Sequence, residues 1–198
     1  MAGSLTFVTR TGAETAQLFH DLAGLRIAVF YDFPYLYEGD MEYEKEYLKV
    51  YSQSPRSFVH AVYDGDRMIG ATTCIPLSDE AEEVKSPFVD AGLDPGRYFY
   101  FGESILLPPY RGRGLGHLFF DERERHARSF GDYTYACFCS VERPDDHPLR
   151  PEGYRPNDKF WEHRGYAPLD GLSSQFEWLD RGEEKPTLKK MNYWIKTL

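Results

Sequence analysis

Phe101-Gly102-Glu103-Ser104-Ile105-Leu106-Leu107-Pro108-Pro109-Tyr110-Arg111-Gly112-Arg113-Gly114-Leu115-Gly116 is an apolar run halted by two prolines and followed by alternating arginine and glycine. It predicts a strand over 97–107, a glycine-rich turn, and a helix over 114–129 that the turn opens. Glycines let consecutive backbone amides converge, and a helix N-terminus adds about half a positive charge. Arg111 and Arg113 sharpen that field, and residues 111–128 hold five Arg against three acids in an otherwise acidic chain. Such a turn is built for a phosphate-bearing ligand. No Lys-Ser or Lys-Thr follows the glycines, so it is not a P-loop. His117 stands where a dinucleotide fingerprint needs its third glycine.

Working outward, residues 5–9 have strand composition. Thr11 and Glu14 are spaced as a capping box ahead of a long amphipathic helix over 13–31, ended by Pro34. A shorter helix follows over 41–51. The period then changes to that of strands at 57–63 and 67–75, joined by Asp64-Gly65-Asp66. Residues 78–96 are acidic with room for a short helix. Residues 133–141 are nearly all apolar, as a strand buried on both faces should be. A loop at 142–156 carries four prolines, Asn157 caps a helix over 158–164 that stops at Gly165, and strands close the chain at 172–179 and 191–196. The expectation is one α/β (α+β) domain spanning 1–198.

Composition narrows the functional classes. The 198 residues carry 23 Lys plus Arg against 32 Asp plus Glu, a formal charge of −9, which disfavours duplex nucleic acid as a partner. Three cysteines make no disulfide framework and suit a reducing cytoplasm. Met1-Ala2-Gly3-Ser4-Leu5 lacks the basic flank and apolar core of a signal peptide, and no run approaches the ~18 apolar residues of a membrane helix. A cytoplasmic protein that touches neither nucleic acid nor membrane is expected.

Arg111-x-x-Gly114-x-Gly116, behind a strand and Pro108, resembles the acetyl-CoA motif of the GNAT N-acetyltransferases. Phe160-Trp161-Glu162-His163-Arg164-Gly165-Tyr166 resembles that family's later aromatic segment. The resemblance implies a mixed, mostly antiparallel sheet of about 6–7 strands with helices on both faces. It implies acetyl-CoA as co-substrate, no metal, a small-molecule or peptide amine as acceptor, and a homodimer as one state open to the chain. Backbone groups of Leu106 and Leu107 would meet the pantetheine arm. Amides of Arg111, Gly112, Arg113, Gly114, Leu115 and Gly116 would hold the pyrophosphate, and strand 133–141 would splay from the motif strand.

Glu103 lies where the family often places a carboxylate base. Strand alternation sets it on the face of Phe101, Ile105 and Leu107, where apolar neighbours would raise its pKa toward neutrality. Its alternative is a strand-end acid paired with an Arg. The family's usual tyrosine acid is replaced by Trp161, which cannot give up its indole proton usefully and is expected to wall the cofactor tunnel. Tyr154 is the preferred substitute acid, with Tyr110, His163 and water as the others. Tyr35 and Tyr37, in an aromatic and acidic stretch after the first helix, are expected at the acceptor; the alternative is a surface loop whose Tyr and Phe rings anchor it to the core. The acids of 38–50 and 78–94 favour a cationic amine there. Cys137 and Cys139, with His147, lack the spacing of a metal site and read as packing thiols; Ser104 lacks the context of a hydrolase nucleophile. The reading is an N-acetyltransferase acting by direct attack in a ternary complex. Its rivals are a non-catalytic acyl-CoA-binding module and a transferase for a longer acyl chain.

Overall fold

The computed structural model describes residues 4–198; Met1, Ala2 and Gly3, part of the segment read against a signal peptide, lie outside the described residues. In chain order the elements are β1 (Leu5–Thr11), α1 (Phe19–Phe30), α2 (Met41–Gln53), β2 (Phe58–Asp64), β3 (Arg67–Pro76), α3 (Glu82–Asp90), β4 (Tyr98–Tyr100), β5 (Ser104–Leu106), α4 (Leu115–Arg128), β6 (Tyr135–Val141), α5 (Asp158–His163), β7 (Ala167–Trp178) and β8 (Thr187–Thr197). They form an eight-stranded sheet in the order β1-β2-β3-β4-β6-β8-β7, with β5 also on β3. Every pairing is antiparallel except β4 with β6. The mixed class is as expected.

The count exceeds the expected 6–7 because the motif strand is two strands. Ile75 lies opposite Tyr100, but Thr72 lies opposite Ser104. Three residues, Phe101, Gly102 and Glu103, therefore oppose two, Thr73 and Cys74. This is a one-residue bulge, and it reverses the in–out alternation of everything beyond it. The expected sharing of one face by Phe101 and Glu103 is accordingly corrected. Phe101 joins the aromatic cluster of Phe120, Phe138 and Tyr166 beneath α4, whereas Glu103 points at α1 and α2. Arg123 of α4, fully buried, stacks over Phe101 at 4.5 Å and donates to the Glu103 carbonyl at 3.4 Å, holding the bulge from below.

Past the bulge β5 stays with β3 and leaves β6. The last link between the two segments is the Phe101 amide on the Cys137 carbonyl at 2.8 Å. The parting also corrects the reading of 133–141 as buried throughout. Only Ala136, Cys137 and Phe138 are buried, because the far half of β6 has lost its neighbour on that side.

Helices cover both faces. Thr73 bonds the Tyr51 hydroxyl of α2 at 2.9 Å, while its neighbour Cys74 packs in the cluster with Phe120 of α4. The expected single helix over 13–31 is a 3-10 segment (Gly12–Leu18) followed by α1. Thr11 belongs to β1 and makes no side-chain cap, so the capping box does not form; Asn157 likewise makes none. Asp40 does cap α2, accepting from the Glu42 and Tyr43 amides at 3.0 Å each. Among the described residues no helix is long and apolar enough to cross a membrane.

Gly102 is required by contact. A Cβ there would lie 2.0 Å from the Tyr51 hydroxyl and 2.7 Å from Thr73 Oγ1. Gly102→Ala should cost about 1–3 kcal/mol of unfolding free energy by overpacking. Combined with Tyr51→Phe, which removes the clashing oxygen, the two should cost less than their sum in a denaturant-melt double-mutant cycle. Simple additivity would contradict the packing described.

Candidate active site

The glycine-rich turn is open and cationic. Gly112 (φ +74°) and Gly114 (φ +84°) sit in the left-handed region, and a Cβ on either would meet nothing within 4 Å. The Arg111 amide is taken by the Pro108 carbonyl, and the Leu118 amide by Gly114. Between them, among the described residues, the amides of 112–117 find no backbone acceptor. Some of these are the orphan donors of any helix start, but the glycine turn extends the run beyond the first turn of α4. Arg111 donates to the Leu106 carbonyl at 3.0 Å and Arg113 to that of Pro109 at 2.9 Å, so both guanidiniums rest on their own turn. Converging free amides, two cations and empty space above them fit a pyrophosphate. Along β5 the Leu107 amide is spent on Ile69, at 2.9 Å. Alternation of an antiparallel ladder then turns the backbone of Leu106, not the Leu107 amide, toward the gap beside β6.

On the opposite face lies a cavity of about 590 Å³ that reaches the bulge at Gly102 and Glu103. Its floor is one buried guanidinium between two buried carboxylates: Arg26 of α1 donates through Nε to Glu44 and through Nη1 to Glu103. Burial works against the Arg26 charge, but Tyr47 and Glu44 hold its pKa above the ordinary arginine range. The other Glu103 oxygen accepts from Thr73 Oγ1 and, at 3.3 Å, from the Tyr51 hydroxyl. The neighbours of Glu103 are thus polar rather than the apolar set expected. Both of its oxygens are engaged, and the Arg partner named as its alternative is present.

Tyr35 and Tyr37 line the same cavity as Glu103, as do Tyr47, Tyr100, Cys139 and Trp178. Arg143 fixes that wall: it grips Asp180 with both terminal nitrogens (2.6 and 2.9 Å) and donates to the carbonyls of Pro34 and Tyr35, each at 2.7 Å. Tyr154 is elsewhere. It stands edge-on to Phe33 (4.7 Å) in a neighbouring cavity of about 520 Å³, and burial raises its pKa. Trp161 packs against Phe138 and Trp194, each at 5.1 Å, beneath α5. Tyr110 bonds Asp64 at 2.6 Å beside the β2–β3 hairpin, and His163 Nδ1 lies 2.5 Å from the Lys159 carbonyl. Among the described residues no group of three or more His, Cys, Asp or Glu is placed to hold a metal ion. Burial raises the thiols of Cys137 and Cys139, the latter to about 12, so both stay neutral.

Arg26, Glu44, Tyr51, Thr73 and Glu80 belong to the buried polar groups of this region without standing in any of the motifs above. A signal existed for two of them. Arg26 interrupts the apolar helix Leu22-Ala23-Gly24-Leu25-Arg26-Ile27, and Glu44 shares a helix face with Leu48 and Tyr51. Nothing local marks Glu80. It is 3% exposed, accepts from the Ala81 amide at 3.0 Å, and leaves Oε1 without a partner among the described residues. Burial lifts its pKa to about 7, with Glu83 pushing the same way and the Ala81 amide, Arg26 and Lys85 opposing.

A family model described as "Acetyltransferase (GNAT) family" matches residues 25–150. Among solved structures, an acetyltransferase from Streptococcus agalactiae superposes with a TM-score of 0.59 at 12% identity, covering 98% of each chain. Arabidopsis thaliana NAA60 in complex with acetyl-CoA gives 0.58 at 11% identity, covering 98% of this chain and 99% of that one. A Thermus thermophilus acetyltransferase gives 0.54 at 13%, covering 100% and 99%. At these identities the likeness is one of fold. Comparison with curated protein sequences returned no match.

The raised Glu80 pKa has a direct consequence for stability. The folded state keeps a proton on Glu80 that the unfolded chain releases near its ordinary pKa of 4.5. Glu80 therefore lowers stability progressively as pH rises from about 4.5 to about 7, by a total of about 3 kcal/mol. Glu80→Gln should flatten that part of the pH–stability curve and be the more stable protein at pH 8. An unchanged slope in denaturant melts across this window would refute the assignment.

Proposed function

The chain belongs to the GNAT acetyltransferase family, and on that premise we propose that it transfers an acetyl group from acetyl-CoA to an amine by direct attack in a ternary complex. The observation that carries this reading is the opening at the bulge. The amide cradle lies at the start of α4 and the acidic cavity on the α1–α2 face, and that cavity reaches Gly102, Glu103 and Cys139, where β5 leaves β6. Two reactants entering from opposite faces would meet there, and orienting them can contribute up to about 7–11 kcal/mol toward the barrier.

The cradle at 111–116 and the Leu106 backbone would hold the donor, which supplies an activated thioester when bound. Glu103 is the general base of this proposal. Arg26, Thr73 and Tyr51 fix the direction of its carboxylate, which lines the cavity and accepts the proton that the amine must lose. Tyr154 borders the neighbouring cavity, so the departing thiolate takes its proton from water. Three free thiols agree with a cytoplasmic setting.

Acetyl-CoA at 100 times its Kd should stabilise the fold by about 2.7 kcal/mol, with NADH and ATP far less effective. Gly114→Val, forcing a β-branched residue to φ +84°, should abolish that thermal shift. Equal stabilisation by NADH would sink the cofactor assignment.

Glu103→Gln keeps the side chain's shape while removing its basicity. It should lower kcat by about 10²–10⁴-fold, leave acetyl-CoA affinity nearly unchanged, and be partly rescued at high pH, where more acceptor is already deprotonated. Wild-type kcat at neutral pH would return Glu103 to a structural role, as the partner of Arg26.

A further inference from the structure

The cavity above Arg26 holds more negative charge than its own residues neutralise. Glu44 and Glu103 lie on its floor, and Glu38, Asp40, Glu83 and Glu177 stand exposed around its rim. Arg26 is the one basic side chain among the lining residues, and it is already spent. It bonds both floor carboxylates and stacks over Tyr47 at 4.3 Å and Phe30 at 5.1 Å. Glu44 is 0% exposed, and its Oε1, beside the Tyr37 hydroxyl, makes no hydrogen bond of ordinary geometry among the described residues. A buried carboxylate oxygen so weakly served is expensive, and an ammonium entering with a ligand would complete it. The walls suit such a ligand. Tyr35, Tyr37 and Tyr43 line it with aromatic surface suited to a cation, while Phe176 and Met191 offer apolar surface to methylenes.

We propose that the acceptor is a small alkyl diamine or polyamine, with its second ammonium seated on Glu44 while the reacting nitrogen sits beside Glu103. This rests on the transferase reading above and deepens it. One guanidinium separates the two floor carboxylates, so a short alkyl chain spans the two positions. The rim carboxylates then act at longer range, drawing a dication toward the mouth. A monoamine would answer only one of the two floor positions, and an acidic acceptor would meet repulsion at every step.

The test compares putrescine with n-butylamine on the full-length protein, by calorimetric binding without acetyl-CoA and by thiol release with it. Putrescine should bind and turn over with kcat/KM about 10–100-fold above butylamine, the usual worth of one charge-assisted bond. Glu44→Gln should collapse that ratio toward one while keeping the acetyl-CoA thermal shift. Should that variant fail to fold, Glu38→Gln/Glu83→Gln/Glu177→Gln, altered only at exposed positions, should cut kcat/KM for putrescine several-fold at low salt and flatten its ionic-strength dependence. Equal use of the two amines by the unaltered protein overturns the proposal and leaves the transferase reading standing. So does a Glu44→Gln enzyme with an unchanged ratio. Tight, Glu44-dependent putrescine binding without thiol release from any amine supports the dication site and defeats the transferase reading instead.

Discussion

One extra residue in the strand opposite Thr73 and Cys74 is the constraint on which the rest of this molecule depends. Without it, residues 98–106 would run as one regular strand between β3 and β6, and the sheet would close with no gap. With it, β5 follows β3 while β6 turns to β8, leaving one edge of β5 without a strand partner. An unpaired edge inside a sheet is normally a liability; in the function proposed above it is where an extended ligand arm would find hydrogen bonds. The same extra residue reverses the alternation, sending Phe101 into the core under α4 and Glu103 up to α1 and α2.

The two buried arginines show how differently a cation can be tolerated. Arg26 is held between Glu44 and Glu103; without it two buried carboxylates would face each other with no cation between them, whereas loss of one carboxylate would still leave a matched pair. Arg123 has no carboxylate partner within salt-bridge distance among the described residues. It rests on the faces of Phe101 and Phe120 and on the carbonyls of Phe119 and Glu103. Burial pulls its pKa down to about 10, still high enough to stay charged at neutral pH. One arginine organises the acidic floor of the cavity, and the other pins the bulge beneath it.

The loops complete the site by tethering rather than by packing. Residues 31–40 have no regular structure beyond an isolated bridge between Tyr37 and Asp180, yet Arg143 binds their carbonyls and Asp180 together. Trp178 donates to the same Tyr35 carbonyl at 3.1 Å and to Asp180 at 2.7 Å. A cavity wall made of tyrosines on a loop thus acquires the fixed geometry that selective binding requires.

Legible in the chain alone were the glycine-rich strand-turn-helix at 97–129, the α/β class and the acidic, aromatic character of residues 31–50. These follow from local rules: a glycine's freedom at positive φ, the free amides of a helix start, the period of an apolar stripe. The sequence also marked Glu103, Tyr35 and Tyr37, which the structure brings to one cavity, and Tyr154, which it does not. Tertiary structure alone decided the bulge, since register is a relation between strands and the chain around Gly102 reads as an unbroken run. It alone joined Arg26, Glu44 and Glu103, residues 18 and 77 positions apart along the chain from their shared guanidinium. No local pattern predicts that a carboxylate will find its charge at that distance. The character of Glu103, apolar by strand period and polar in the fold, was set by which helix the bulge turned it to face.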